Sequence, residues 1–527
     1  MGTVSQPGRS AAPGPGVARL PRDVLRYLPA SVVPALCAVV GTVLFTRLFS
    51  PAAYGLFSLV VSVTGPMSTV LGQPSGQAAS RFASEYRAGG QELLYRTVMT
   101  VLVAAAAGGA LGILVVGLAV SALMGGGPEG RLALWGAAGL LVAGSAVSTA
   151  LLPMLAANFR PRAYTAAVIG LAVLSVGVSG GLVLWAGPHV VYLVLGQVAA
   201  SLLVLPLVVR RVGLVGPRPL RLVMDGPAAR QVLGRFLRYG VPLAPWFLAM
   251  SLLSSGDRYI LAWLAGTRAV GVYSVNYNLA SQSVGLLNMP MVTAAWPVLA
   301  RQWAGERRAA MARSLTAVST FYLRLSLGAA AVVWAASRPL TTLLLGADFR
   351  GGVGVFGPIL AAMVLWGLAR VGQKSLELHE RTAWMVKDAA VAAGVGLLLT
   401  VLLVPRWPYM GAAWATLAGY SVYAVLIWRD ARRCVPWTLD GRVGLSTMAI
   451  ASAAAIVVAY GLPAPASAAW GLPLDAAATA VLYVAGLAVC ERLRGGRRAP
   501  GVRVWRNILD GLLSVQEQAY TGTKGGL

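Results

Sequence analysis

The stretch 251–264, SLLSSGDRYILAWL, is apolar except at its centre, where Asp257 and Arg258 stand side by side. It lies in a run, 239–265, that is long enough to cross a bilayer, whose hydrocarbon core takes about 20 apolar residues. A charge at the centre of a membrane helix costs about 2.5–3.5 kcal/mol on insertion scales. Two adjacent charges therefore need partners. Neighbouring residues on a helix point about 100° apart, so the pair is expected to find them on other helices, in water or on a cargo, and not in each other.

Comparable runs recur along the whole chain. Its 527 residues are 57% hydrophobic and 11% charged, against about 25% charged in soluble domains. Fourteen spans are predicted, at about 30–48, 56–78, 97–124, 132–156, 164–186, 190–209, 239–265, 272–298, 315–336, 352–372, 385–404, 411–428, 443–462 and 472–490. The fold class expected is an all-α polytopic membrane protein with no separate soluble domain. The first 29 residues read as a basic tail, and the first span as an uncleaved membrane helix, without a small-residue cleavage signal.

The net charge of +26 would suit nucleic acid, but its distribution points elsewhere. With the spans laid out in alternation, 35 Lys and Arg fall on the side of the termini, six fall opposite, and Arg258 and Arg324 fall inside spans. This asymmetry places both termini in the cytoplasm and sets the basic loops against anionic lipid. Membrane lipids are the expected partner and nucleic acid is not. Cys37, Cys434 and Cys490, like His189 and His379, are isolated from one another. They offer no metal spacing and no disulfide, and no cofactor is expected.

Two segments repeat. YGLFSLVVSVTGPMSTVLGQP from Tyr54 and VGVYSVNYNLASQSVGLLNMP from Val270 align at a constant offset of 216, matching Gly55 with Gly271, Ser58 with Ser274, Leu71 with Leu287 and Pro74 with Pro290. Upstream, RYLP at Arg26 resembles RYGVP at Arg238. Each opens a block of six spans, which implies two six-helix bundles, 30–209 and 239–428, related by a parallel repeat. A basic cytoplasmic linker, 210–238, joins them, and two additional helices, 443–490, lie outside the repeat. Transporters so built hold their cargo near the midplane between the halves.

The stretch TRLFSPAAYGLFSLV from Thr46, and GDRYILAWLAG with AVGVYSVNYNLAS from Gly256 onward, resemble the polysaccharide transporters of the Wzx-like flippase group. That group belongs to the multidrug/oligosaccharidyl-lipid/polysaccharide (MOP) exporter superfamily. The similarity covers spans one to twelve, and its motifs are short and hydrophobic. The resemblance implies a V-shaped pair of bundles that carries a polyprenyl-(pyro)phosphate-linked oligosaccharide across a bacterial cytoplasmic membrane by alternating access. Glycosyltransferases or a polymerase of the same pathway are candidate partners. Fourteen spans also resemble the lipid II flippases, although the first helix lacks their arginine-rich pattern.

Such a cargo needs cations for its phosphates and amides or hydroxyls for its sugars. The planar fork of Arg suits phosphate. Arg258 is the first candidate, with Asp257 to orient it or to carry a coupling cation or proton. Arg324, about ten residues into span nine, is the second, and Arg47, at the outer end of span one, is the third. On span eight, Ser274, Asn278, Ser281, Gln282, Gly285 and Asn288 fall at spacings of three or four and form one polar stripe flanked by Tyr277. Ser58, Ser62, Gly65, Thr69 and Gln73 form its counterpart on span two. Small and hydroxyl residues also serve helix packing; the three amides on span eight favour a cleft lining. Prolines 34, 66, 74, 242, 245, 290 and 297 cluster in spans one, two, seven and eight, where kinks could serve a rocking motion. In the tail 491–527, Val502, Trp505, Ile508, Leu509, Leu512 and Leu513 share one face of an expected interfacial helix.

Two other functions compete. An ion-coupled multidrug or organic-cation exporter would favour acidic cleft residues, whereas the intramembrane charge here is one Asp against two Arg. A membrane polysaccharide polymerase or glycosyltransferase would need catalytic groups held by a sizeable external loop. The outer loops are short, and Glu129, Asp348 and Asp475 are far apart. A transporter, not an enzyme, is the expectation.

Overall fold

The computed structural model describes residues 29–123, 130–157, 161–214, 227–304, 308–461 and 468–493. The predicted amphipathic tail helix lies outside them. The chain forms helices because, in hydrocarbon, every backbone donor and acceptor must be satisfied within its own segment. The first six are α1 (Pro29–Leu48), α2 (Pro51–Ala88), α3 (Glu92–Leu123), α4 (Gly130–Ala157), α5 (Pro161–Ala186) and α6 (Val190–Val212). A short helix α7 (Pro227–Gly240) and a 3-10 turn lead into α8 (Ala244–Ala304). Then follow α9 (Arg308–Ala335), α10 (Ser337–Leu344), a 3-10 turn (Ala347–Val355), α11 (Phe356–Leu378), α12 (Thr382–Leu403) and α13 (Pro408–Cys434). The last two are α14 (Gly441–Gly461) and α15 (Ala468–Leu493).

Thirteen helical segments among the described residues are long and apolar enough to cross a membrane. One of them, Pro227–Leu286, has 60 residues, about 90 Å at 1.5 Å per residue. That is some three times the hydrocarbon thickness. Within it α8 breaks at Gly266, whose φ of 80° and ψ of 171° fall in a region essentially reserved for glycine. The chain folds back there, so α8 supplies both the seventh and the eighth expected span. A single residue thus makes the turn for which the sequence suggests a six-residue loop.

Two large apolar cores form. One gathers side chains of α2, α3, α4, α6 and α7, such as Phe82, Met99, Leu151 and Phe236. The other gathers α8, α9, α11, α12 and α13 around Tyr273, Phe356 and Tyr423, with Phe45 of α1, Phe49 of the bend after it and Tyr54 of α2 reaching into it. α14 and α15 pack on each other and on α9 through Ala331, Ala335, Ala451 and Ala454, beside Tyr483. Small residues there let the helices approach closely.

Half of the expected linker is a docked helix. α7 buries Ala229, Val232 and Phe236 against Phe82 and the two tyrosines Tyr86 and Tyr95. The Arg235 guanidinium lies 4.6 Å over the Phe82 ring and donates to both oxygens of Glu85, at 2.5 and 3.0 Å. That bond holds the exposed Glu85 carboxyl below its usual range. The arginines between the apolar positions of α7 disguise it as a solvated stretch.

The repeated glycines meet. A Cβ on Gly55 would fall 1.8 Å from the Thr267 carbonyl oxygen, and one on Gly271 would fall 1.9 Å from that of Pro51. Pro51 and Thr267 are also 216 positions apart. The contact is therefore reciprocal: each helix presents to the other the residues that its counterpart presents back, the mark of an isologous crossing. Only glycine permits so close an approach.

Over this crossing lies the segment 337–355, whose short helix and 3-10 turn are not signalled by the sequence. Arg47 donates to the Leu343 carbonyl at 3.0 Å, and the Gly346 amide donates to Thr46 Oγ1 at 3.4 Å. Buried Asn276 donates to the Phe349 carbonyl at 3.0 Å, while the Phe349 ring meets Tyr54 edge-to-face at 5.8 Å.

Candidate functional site

The fold-back at Gly266 brings the second arm of α8 against the first. Asp257 and Arg258 are each about 5% exposed, so Arg258 does not reach for the membrane surface. Asp257 Oδ2 accepts hydrogen bonds from the Tyr273 phenol and from Thr416 Oγ1 of α13 at 3.0 Å. Arg258 donates from Nε to Ser274 Oγ at 3.1 Å and from Nη1 to the Ser254 carbonyl at 3.0 Å. Its guanidinium lies 4.6 Å over the Tyr277 ring, a cation–π contact.

One expectation is corrected here. Asp257 and Arg258 do face each other, with Nη1 3.9 Å from Asp257 Oδ1. Divergent Cβ directions are overcome by the length of the arginine, whose Nη1 bond to Ser254 turns the guanidinium back over the helix. The two charges offset one another across a gap without a hydrogen bond, and Asp257 Oδ1 has no hydrogen-bond partner.

Beside this cluster a cavity of about 330 Å³ opens between α1, α2, α5, α6 and the second arm of α8. That is within the range of small-molecule sites, about 300–1,000 Å³. Its polar wall consists of Thr42, Ser58, Ser175, Gln197, Asn278 and Gln282, and among the described residues no acidic one lines it. Tyr54 is a wall residue whose phenol lies within reach of Thr42 and Asn278 and of the field of Arg258. Arg258 does not line the cavity but bonds Ser274, one helical turn before the wall residue Asn278, and so sits one layer behind it.

The structure sorts the sequence-derived candidates. Asn278 and Gln282 line the cavity together with Ser58. Tyr277 is buried against Arg258. Thr69 donates to the Gly65 carbonyl of its own helix at 2.9 Å, and Gln73 accepts from Gln77 at 3.2 Å; neither lines this cavity. Arg47 holds the outer segment, as described above. Arg324 faces the last helix, where it pairs with Glu491 at 2.9 Å, and Tyr483 donates to its carbonyl. The Asn288 side chain lies outside the described residues.

Sequence reading missed Gln197, Ser175 and Thr42 of the first half, and the partners Tyr273 and Thr416. Gln197 carried a signal, as a lone amide in the otherwise apolar span 190–209. Thr42 and Thr416 carried none, because hydroxyls in membrane helices usually bond their own backbone.

Similar proteins agree with this arrangement at the level of the fold. The inward closed conformation of the lipid II flippase MurJ superposes with a TM-score of 0.58 at 14% identity, covering 88% of this chain and 98% of that one. An outward-facing multidrug resistance MATE family transporter of the MOP superfamily gives 0.58 at 14% identity, over 79% of this chain and 95% of that one. A MOP superfamily transporter from Pyrococcus furiosus, described by the reverse polarity of its binding pocket, gives 0.56 at 14%, over 79% and 95%. No curated protein is matched. The fold is therefore that of a multi-pass MOP-superfamily transporter. The model of the family described as "Polysaccharide biosynthesis protein" matches residues 20–303, more than half of the chain, and the protein belongs to that family.

Proposed function

We propose that the protein is a flippase that moves a polyprenyl-linked oligosaccharide from the inner to the outer leaflet of a bacterial cytoplasmic membrane. The observation that carries this reading is the cavity wall, built from amides and hydroxyls and free of acids. Such groups bond sugar hydroxyls as both donor and acceptor. Arg258, one layer behind and only partly offset by Asp257 at 3.9 Å, is the cation nearest the phosphates, and Asn278 and Gln282 meet the glycan. The lipid tail stays in the bilayer.

The multidrug-exporter reading is favoured by the fold neighbours, among which MATE transporters recur. An organic cation, however, meets no carboxylate in the wall, and the one behind it, Asp257, is already held by Arg258, Tyr273 and Thr416. The family membership supports the polysaccharide reading.

The reciprocal glycine crossing supports transport by alternating access. The bundles 30–209 and 239–428 are two copies of one plan, and α2 and α8 are the symmetry-related pair that close the outer side. Both termini are cytoplasmic. Exposed Trp185, Trp263, Trp407 and Trp470, with Tyr460, then all stand at the outer interface, where aromatic belts form.

The test is the sidedness of the lipid-linked sugar in cells lacking the protein. Assembly continues, so intermediates accumulate on the inner leaflet, protected from an impermeant glycosidase, while surface polymer falls. Accumulated units open to the glycosidase from outside would rule out the flippase. Normal surface glycan with heightened drug sensitivity would assign the exporter role.

A further inference from the structure

At the end of α12 and α13 opposite the turn that joins them, two carboxylates are buried without any role in the cavity. Asp430 and Asp388 are fully buried, and they hold cations at the surface. Lys387 Nζ lies 2.9 Å from Asp430 and 3.4 Å from Asp388. Arg429 and Arg433 lie 3.0 and 3.3 Å from Asp430. These three cations remain about half exposed, so their charge faces outward.

Two further arginines extend the cluster through aromatic rings. Arg381 stands 5.1 Å over Trp384, which Arg433 and Lys387 also approach at 5.8 and 6.0 Å. Arg432 stands 4.8 Å over Trp428. Five cations against two carboxylates leave a surplus of three positive charges. Along the same two helices the exposed residues are apolar, with Val391, Leu398 and Val425 each at least 46% exposed. A cationic shelf at headgroup depth therefore continues into an acyl-chain track.

We propose that this shelf binds the headgroup of an anionic phospholipid from the cytoplasmic leaflet. The guanidinium forks match phosphodiester oxygens in a bidentate manner, basic pockets between membrane helices take anionic headgroups, and the tryptophans anchor at the interface. Asp430 fixes three of the five cations in place before the lipid arrives, which lowers the ordering cost of binding. The proposal holds whatever the cargo.

The full-length protein in detergent, titrated with phosphatidylglycerol or phosphatidylcholine and read by native mass spectrometry, tests it. The unaltered protein retains phosphatidylglycerol in preference. Arg381→Gln/Arg432→Gln, which leaves the aspartate-held cations intact, weakens retention about fivefold for each cation removed. Arg381→Lys/Arg432→Lys keeps most of it. The charge-matched control Arg230→Gln/Arg313→Gln, at exposed arginines elsewhere, leaves it unchanged. Equal loss in the control, no loss in Arg381→Gln/Arg432→Gln, or equal retention of both lipids in the unaltered protein would overturn the site.

Discussion

Asp257 and Arg258 are tolerated in a membrane helix because each is held by hydrogen bonds from or to its neighbours and the two charges lie 3.9 Å apart. Tyr273 and Thr416 hold the carboxylate, and Ser274, the Ser254 carbonyl and the Tyr277 ring hold the guanidinium. Removing one charge strands the other, at a cost of about 3–5 kcal/mol for a buried pair. Asp257→Asn and Arg258→Gln alone should each lower the melting temperature in detergent markedly. The double variant should recover most of that loss, since the amides can still bond the same hydroxyls. Transport separates the two roles of the pair. A double variant that melts normally yet fails to move cargo places Arg258 in the transport path, whereas one that transports normally leaves the pair with a structural role.

At the scale of elements, the proposed outer closure rests on the crossing of α2 and α8. Gly55 and Gly271 allow backbone contact that no side chain can share. Larger residues there should force the outer ends apart while leaving the inner parts of both helices unaltered. Cys37, a wall residue of the cavity, is a native reporter. With Cys434 and Cys490 replaced by Ser, labelling of Cys37 by an impermeant maleimide from outside should be slow in the parent. It should rise severalfold in Gly55→Val or Gly271→Val. Unchanged labelling in folded variants would show that this crossing does not close the outer side. The segment 337–355, held by Arg47, Thr46 and Asn276, is the second layer of the same closure.

For the whole molecule, the proposed orientation rests on charge asymmetry, before any contact is considered. In a cysteine-free background, His189→Cys, between α5 and α6, should react with an impermeant reagent in intact cells. Gly89→Cys, between α2 and α3, should react only after permeabilisation. The reverse pattern would invert the positive-inside reading and with it the direction of transport.

Hydropathy and charge are properties of single segments, and the sequence by itself determined what depends on them. The spans were legible, since a helix must satisfy its own backbone in lipid, and so was the pattern that α2 and the second arm of α8 share, though not that the two helices touch at its glycines. Asn278 and Gln282 were legible too, because amides are costly in hydrocarbon without a purpose. Whatever depends on which faces meet was decided only by the tertiary structure. Arg324 looked like a cargo ligand until its partner Glu491, 167 residues away, came alongside. Asp257 and Arg258 looked unpaired until Gly266 folded Tyr273, Ser274 and Tyr277 onto them. Thr69 and Gln73 share the stripe of Ser58, yet only Ser58 reaches the cavity. The helical period tells which residues share a face but not how far along the helix the neighbouring bundle stands away.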